Sequence, residues 1–139
     1  MSGEGEEMLL KGMAGEGRMG SEKGGIRERT KAFALSVLRL FPLLAKREET
    51  RMLGRQLIRS GTSVGAHIRE GKRARSDAEM ISKIESGLQE MEETVYWLEL
   101  VEEYDMVEKG KLSAIRAEAE ELTAMMVASV RTLKSRTRG

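Results

Sequence analysis

At 139 residues, with a formal net charge of +1 and a mean hydropathy of −0.42, the chain has room for one hydrophobic core. It has no cysteine, which excludes a disulfide framework, a thiol nucleophile and a zinc-thiolate site and fits a cytoplasmic protein. No apolar run approaches the roughly 18 to 20 residues of a membrane-spanning helix, and no cationic leader precedes an apolar signal core, so neither a membrane nor secretion is expected.

Residues 1–25 hold eight of the fifteen glycines, which raises the entropic cost of ordering them and predicts a flexible tail. Met19, inside this tail, could serve as an alternative start. From Ile26 onward, Phe33, Val37, Leu40 and Leu44 recur at helical spacing, with Ala34, Leu38 and Phe41 alongside. Pro42 has no N–H to donate to Leu38 and disfavours helical angles at Phe41, so the first helix is expected to stop or kink near Phe41. A polar turn, Lys46 to Glu49, follows. Thr50 can cap the second helix, unless Glu48 or Glu49 already occupies its first turn.

The second helix combines two patterns. Leu57, Gly61, Val64 and Ile68, at steps of four, three and four, form one packing face, and Gly65 sits one turn from Gly61 beside it. Around that face stand Arg55, Arg59, Arg69, Lys72, Arg73 and Arg75. Gly71 is a natural place for the helix to end or loosen. Ser76 with Glu79 three residues later reads as a capping box for the third helix.

In that third helix Ile81, Ile84, Leu88, Met91, Val95 and Leu98 alternate steps of three and four, and Trp97, Val101 and Tyr104 widen the stripe. The pattern breaks near Asp105 and again at Gly110. Leu112, Ile115, Ala119, Leu122, Met126, Ser129 and Leu133 then define a fourth helix. No alternating run suggests a strand. The expected fold is all-α: an antiparallel up-down four-helix bundle over residues 26–135, between the tail 1–25 and a basic tail 136–139.

Near-neutrality hides a segregated charge. Residues 46–75 carry nine cations against three anions, residues 76–122 four against fourteen, and residues 123–139 four cations and no anion. Such a dipolar layout points to electrostatic contact with a polyanion or with an acidic protein surface.

Catalytic patterns fare poorly. Gly65, Gly71 and Lys72 imitate a phosphate loop, but five residues separate the glycines, Arg73 replaces Ser or Thr, and no strand precedes them. His67 is the only histidine, and Val64 stands where a Glu-x-x-His metal motif needs Glu. No nucleophile elbow supports a Ser-His-Asp triad. Glu85, Glu92, Glu99 and Glu103, with Glu90, Glu93 and Glu102, read as a solvated helix face, or as a surface meeting the basic helix of a neighbouring copy. Tyr96 and Trp97 read as packing residues before a base-stacking platform. No cofactor and no metal is expected.

The run Arg55-Gln-Leu-Ile-Arg-Ser-Gly-Thr-Ser-Val-Gly-Ala-His-Ile-Arg-Glu-Gly71, with Arg73 to Glu79, Lys83-Ile84 and Tyr96 to Leu100, resembles the bacterial four helix bundle protein family. Its members are relatives of proteins encoded in intervening sequences of large-subunit ribosomal RNA genes. The resemblance spans about Ile26 to Leu133. It implies a non-catalytic bundle that in several relatives forms a pentameric ring with a basic surface. A related branch, the accessory variability determinant of diversity-generating retroelements, binds a reverse transcriptase and nucleic acid. It further implies packing roles for Gln56, Leu57, Gly61, Val64, Gly65 and Ile68 and binding roles for Arg55, Arg59 and Arg73. His67 stands where many relatives carry Asn.

Two functions follow as expectations. In the first, a non-catalytic homo-oligomer, pentameric as in those relatives, binds RNA or DNA through Arg55, Arg59, Arg69, Lys72, Arg73 and Arg75 and the basic C-terminal tail, while Leu57, Gly61, Val64, Gly65, Ile68 and Trp97 provide packing and assembly. In the second, the bundle is an interaction scaffold or accessory subunit, for example of a reverse transcriptase, and the same cations contact a partner or a second subunit.

Overall fold

A computed structural model of the chain describes residues 24–104, 107–108 and 110–138. Among these residues four helices follow one another: α1, Ile26–Leu44; α2, Glu48–Lys72; α3, Asp77–Glu103; and α4, Ser113–Arg138. No strand occurs among the described residues. The tail expected at 1–25 lies, up to residue 23, outside them.

Contacts between neighbouring helices run in opposite directions. Along α2, Gly54, Gly61 and Gly65 face Phe41, Val37 and Thr30 of α1 in turn. Arg59, Ser60 and Glu70 meet Glu90, Thr94 and Lys83 of α3, and Glu99, Glu85 and Asp77 of α3 pair with Arg116, Lys134 and Arg136 of α4. The helices therefore form an antiparallel four-helix bundle. Contacts of α2 with α1 and α3 are the most extensive, and those between α1 and α4 the slightest.

The core is the sum of the four apolar stripes. Phe33, Val37, Leu40, Leu44, Leu57, Val64, Met91, Leu98, Leu112, Leu122 and Met126 are essentially inaccessible to solvent. On α3 the stripe centres on Ile84, Gly87, Met91, Thr94, Leu98 and Val101, with Ile81, Leu88 and Val95 at its edges. On α4, Val130 occupies the core where Ser129 was expected, and Ser129 is half-buried.

Several boundaries differ from expectation. α1 continues past Phe41 to Leu44 with Pro42 in its last turn. A proline there removes one helical hydrogen bond, and burial of Leu43 and Leu44 holds the turn against the core. α2 begins at Glu48 with Glu48 and Glu49 in its first turn, where they suit the positive end of the helix, and Arg47 supplies no side-chain cap. The Thr50 hydroxyl instead donates to the carbonyl of Leu44 at 2.7 Å, tying α2 back to α1. α2 runs one residue past Gly71 to Lys72, and Gly71 is buried against α3, where an added Cβ would be in ordinary contact with Lys83 at 3.5 Å. Ser76 caps α3 as expected, its Oγ accepting from the Glu79 N–H at 3.1 Å. α4 continues through Arg138, so the basic end expected as a tail starts inside the helix.

Candidate nucleic-acid interface

The packing face of α2 determines which of its other residues point outward. Leu57, Gly61, Val64 and Ile68 are all buried, as their spacing predicts, and Gly65 is half-buried. A Cβ built on Gly61 would lie 3.0 Å from Val37 Cγ2, one on Gly65 would lie 3.2 Å from Thr30 Oγ1, and one on Gly54 would lie 2.9 Å from Phe41 Cδ1. The three glycines form a furrow that seats α1 against α2. Gln56, for which the resemblance implied packing, is exposed, and its amide oxygen accepts from Arg59 Nε at 3.1 Å.

With that face against α1 and the core, all six predicted binding cations are exposed. They fall into two groups. Arg59 is engaged within the chain: Nη2 pairs with Glu93 and Nη1 lies 3.4 Å from Glu90. Glu93 also accepts the indole N–H of Trp97 at 2.9 Å, so Arg59 belongs to a polar seam between α2 and α3. Arg55, Arg69, Lys72, Arg73 and Arg75 make no ion pair among the described residues.

Two cations that the sequence reading missed join them. Arg27 of α1 lines a cleft of about 430 Å3 with Arg69, Glu70, Lys72 and Arg73. Lys31, one turn further along α1, lines an adjoining depression of about 340 Å3 with Thr30, Ala34, Thr62, Gly65, Ala66 and Arg69. Arg69 borders both hollows, and each is lined by residues of α1 and of α2. The i, i+4 spacing of Arg27 and Lys31 was visible in the sequence. Their position beside Arg69 depends on how α1 crosses α2, which spacing does not encode.

Among the described residues Glu70 is the only carboxylate lining the cleft, and it is paired with a cation of α3. Its carboxylate accepts from Lys83 Nζ at 3.0 Å, and that bond, with a smaller contribution from His67, holds its carboxyl below the usual glutamate value. His67 Nδ1 is buried without a hydrogen-bond partner; Glu70 Oε1 at 3.2 Å is near enough for ion pairing but is not aligned for a hydrogen bond.

The acidic face of α3 is largely engaged within the same chain. Arg116 reaches Glu99 and Glu102, Lys134 reaches Glu85, and Arg136 reaches Asp77 at 2.9 Å. Lys134 and Arg136 of the basic C-terminal end are thus bound to α3. The unbalanced positive charge is concentrated on the outer side of α2 and the neighbouring edge of α1.

Trp97 is half-buried on the other side of α2. With Met52, Leu53, Leu100 and Tyr104 it lines an apolar groove of about 590 Å3 between α2 and α3, rimmed by Glu49 and Glu103. Among the described residues no three His, Cys, Asp or Glu side chains gather to hold a metal ion, and no helix is long and apolar enough to cross a membrane.

The chain matches the model of the 23S rRNA-intervening sequence protein family over residues 22–128. Among solved structures it is similar to a protein of unknown function from the S23 ribosomal protein family of Bacteroides thetaiotaomicron VPI-5482. The two share 29% identity and a TM-score of 0.72, over 76% of this chain and 98% of that one. No curated protein matches.

Proposed function

The chain belongs to the 23S rRNA-intervening sequence protein family, and we propose that it is a non-catalytic, homo-oligomeric bundle that binds nucleic acid through the outer face of α2 and the adjoining edge of α1. One observation carries this reading: most carboxylates of α3 pair with cations of the same chain, while Arg27, Arg69, Lys72 and Arg73 surround one cleft and, with Arg55 and Arg75, make no ion pair among the described residues. Unpaired cations on a rigid surface gain from phosphates through counterion release, which needs no catalytic group. A filter-binding titration against structured RNA and duplex DNA at low salt tests the proposal. Binding that is lost in Arg69→Glu with Arg73→Glu supports it; no binding to either ligand overturns it.

A second reading, an interaction scaffold or accessory subunit, draws on the apolar groove. Met52 is 62% exposed and Tyr104 55%, beside the half-buried Trp97, while Leu35 and Leu38 are exposed on α1. Two unlike apolar surfaces on different helices suit a head-to-tail contact between copies, the geometry that closes rings, or a protein partner such as a polymerase. Light scattering separates the cases: a mass that drops on Met52→Glu marks self-assembly, and an unchanged monomer mass removes the homo-oligomeric part of the proposal.

A further inference from the structure

The proposed ligand can be narrowed by what the cationic face carries and what it lacks. The chain has five aromatic side chains, all within the described residues, and none lies on that face. Phe33 is buried and Phe41 is wedged against Gly54. Trp97 spends its indole N–H on Glu93, Tyr96 packs against it with ring centroids 5.2 Å apart, and Tyr104 lies under the Arg47 guanidinium beyond the end of α3. Proteins that hold single strands rely on aromatic planes to stack the splayed bases. Amide readers of base edges are missing as well: the chain has no asparagine, and of its two glutamines Gln56 lines the apolar groove and Gln89 is on α3.

What the face does carry is positive charge at fixed separations. Arg55 and Arg69 are about 21 Å apart along one helix at its standard rise, and Arg27 and Lys31 stand on a second helix locked beside it by Gly61 and Gly65. Between the two ends the depression is lined by small side chains, Ala34, Thr62, Gly65 and Ala66, which leave the neighbouring cations free to approach a broad ligand. Base pairing holds duplex phosphates at fixed spacing, so such an array meets several at once. A single strand would lose conformational freedom on the same surface with no stacking contact to offset it. Resting on the proposed nucleic-acid reading, we infer that the α1–α2 face takes double-stranded nucleic acid, through its phosphates and independently of base sequence.

Fluorescence anisotropy with the full chain at low salt tests this, using a duplex RNA of about two turns, the duplex DNA of the same sequence, their separated strands, and a duplex of shuffled sequence. The duplexes are expected to bind at least about tenfold more tightly than the strands, and the shuffled duplex to match the original within about twofold. Arg69→Ala with Arg73→Ala is expected to lower the salt dependence by about two units for both duplex sequences alike. The RNA and DNA arms identify which helix form supplies the phosphates. Single strands binding as tightly as duplexes, or a tenfold effect of shuffling, overturns the inference and leaves the proposed function standing. No binding by any probe overturns both.

Discussion

Gly61 of α2 lies so close to Val37 of α1 that a single added carbon would sit 3.0 Å from Val37 Cγ2 and 3.1 Å from Cγ1. Val37 is 1% exposed and has core on its other sides, so it has little room to retreat. Gly61→Leu is expected to destabilise the bundle by about 3 kcal/mol or to disrupt folding. Gly61→Ala sets a smaller overlap against the roughly 1 kcal/mol that alanine gains in a helix. Urea denaturation of the two variants measures the difference; equal midpoints for Gly61→Leu and the parent would refute the close crossing.

Arg29, 6% exposed, joins α1 to α4 by pairing with Glu118 at 2.7 Å and Glu121 at 3.0 Å. Burial opposes its charge, but the two carboxylates outweigh that effect and raise its pKa above the ordinary arginine value. Arg29→Met would leave Glu118, 15% exposed, without its cation, at a cost of about 3 kcal/mol. A double variant with Glu118→Gln should recover part of that loss. Thermal or chemical denaturation of the four proteins in the cycle gives the coupling.

Glu70 offers a pH test. Because its carboxyl is held low by Lys83 and then by His67, its contribution to stability is present above the unfolded glutamate pKa and is lost as pH falls through the lower folded value. Lys83→Ala removes the largest cause, so the Glu70 carboxyl should titrate at higher pH in that variant. A side-chain NMR titration of Glu70 in both proteins reads the shift, and no upward movement would show that the Lys83 contact is not formed in solution.

The division of the cations into engaged and unengaged groups predicts opposite behaviour for two arginines of the same segment. Arg73→Ala should reduce the salt dependence of nucleic-acid binding by about one unit and leave stability almost unchanged. Arg59→Ala should leave the salt dependence nearly intact while loosening the α2–α3 seam of Glu90, Glu93 and Trp97, visible as a change in tryptophan fluorescence. If both variants lower the salt dependence equally, the seam does not hold Arg59 away from the ligand.

Gly110 provides a backbone prediction independent of packing. Its φ of 90° lies in the region that side chains disfavour, and a Cβ there would meet nothing within 4 Å. Gly110→Ala should therefore cost about 1 kcal/mol through backbone strain alone. A denaturation midpoint unchanged from the parent would indicate that the α3–α4 connection relaxes to accept the residue.

The four helices, their order, the α3 cap at Ser76 and most of the core were legible in the sequence, because apolar spacing and capping chemistry are local properties that one strip of chain carries by itself. The sequence also carried the packing face of α2 and the excess of cations around it. It did not say which of those cations are already spent. Arg59 lies on the same segment as Arg55 and Arg73, yet only the register of α2 against α3 brings it to Glu90 and Glu93. Arg27 and Lys31 look like ordinary exposed residues of α1 until the furrow at Gly54, Gly61 and Gly65 sets that helix beside Arg69. Charge pairing between helices depends on distances across the bundle, which no spacing along one helix contains, so only the tertiary structure decided where the unbalanced charge of this protein lies.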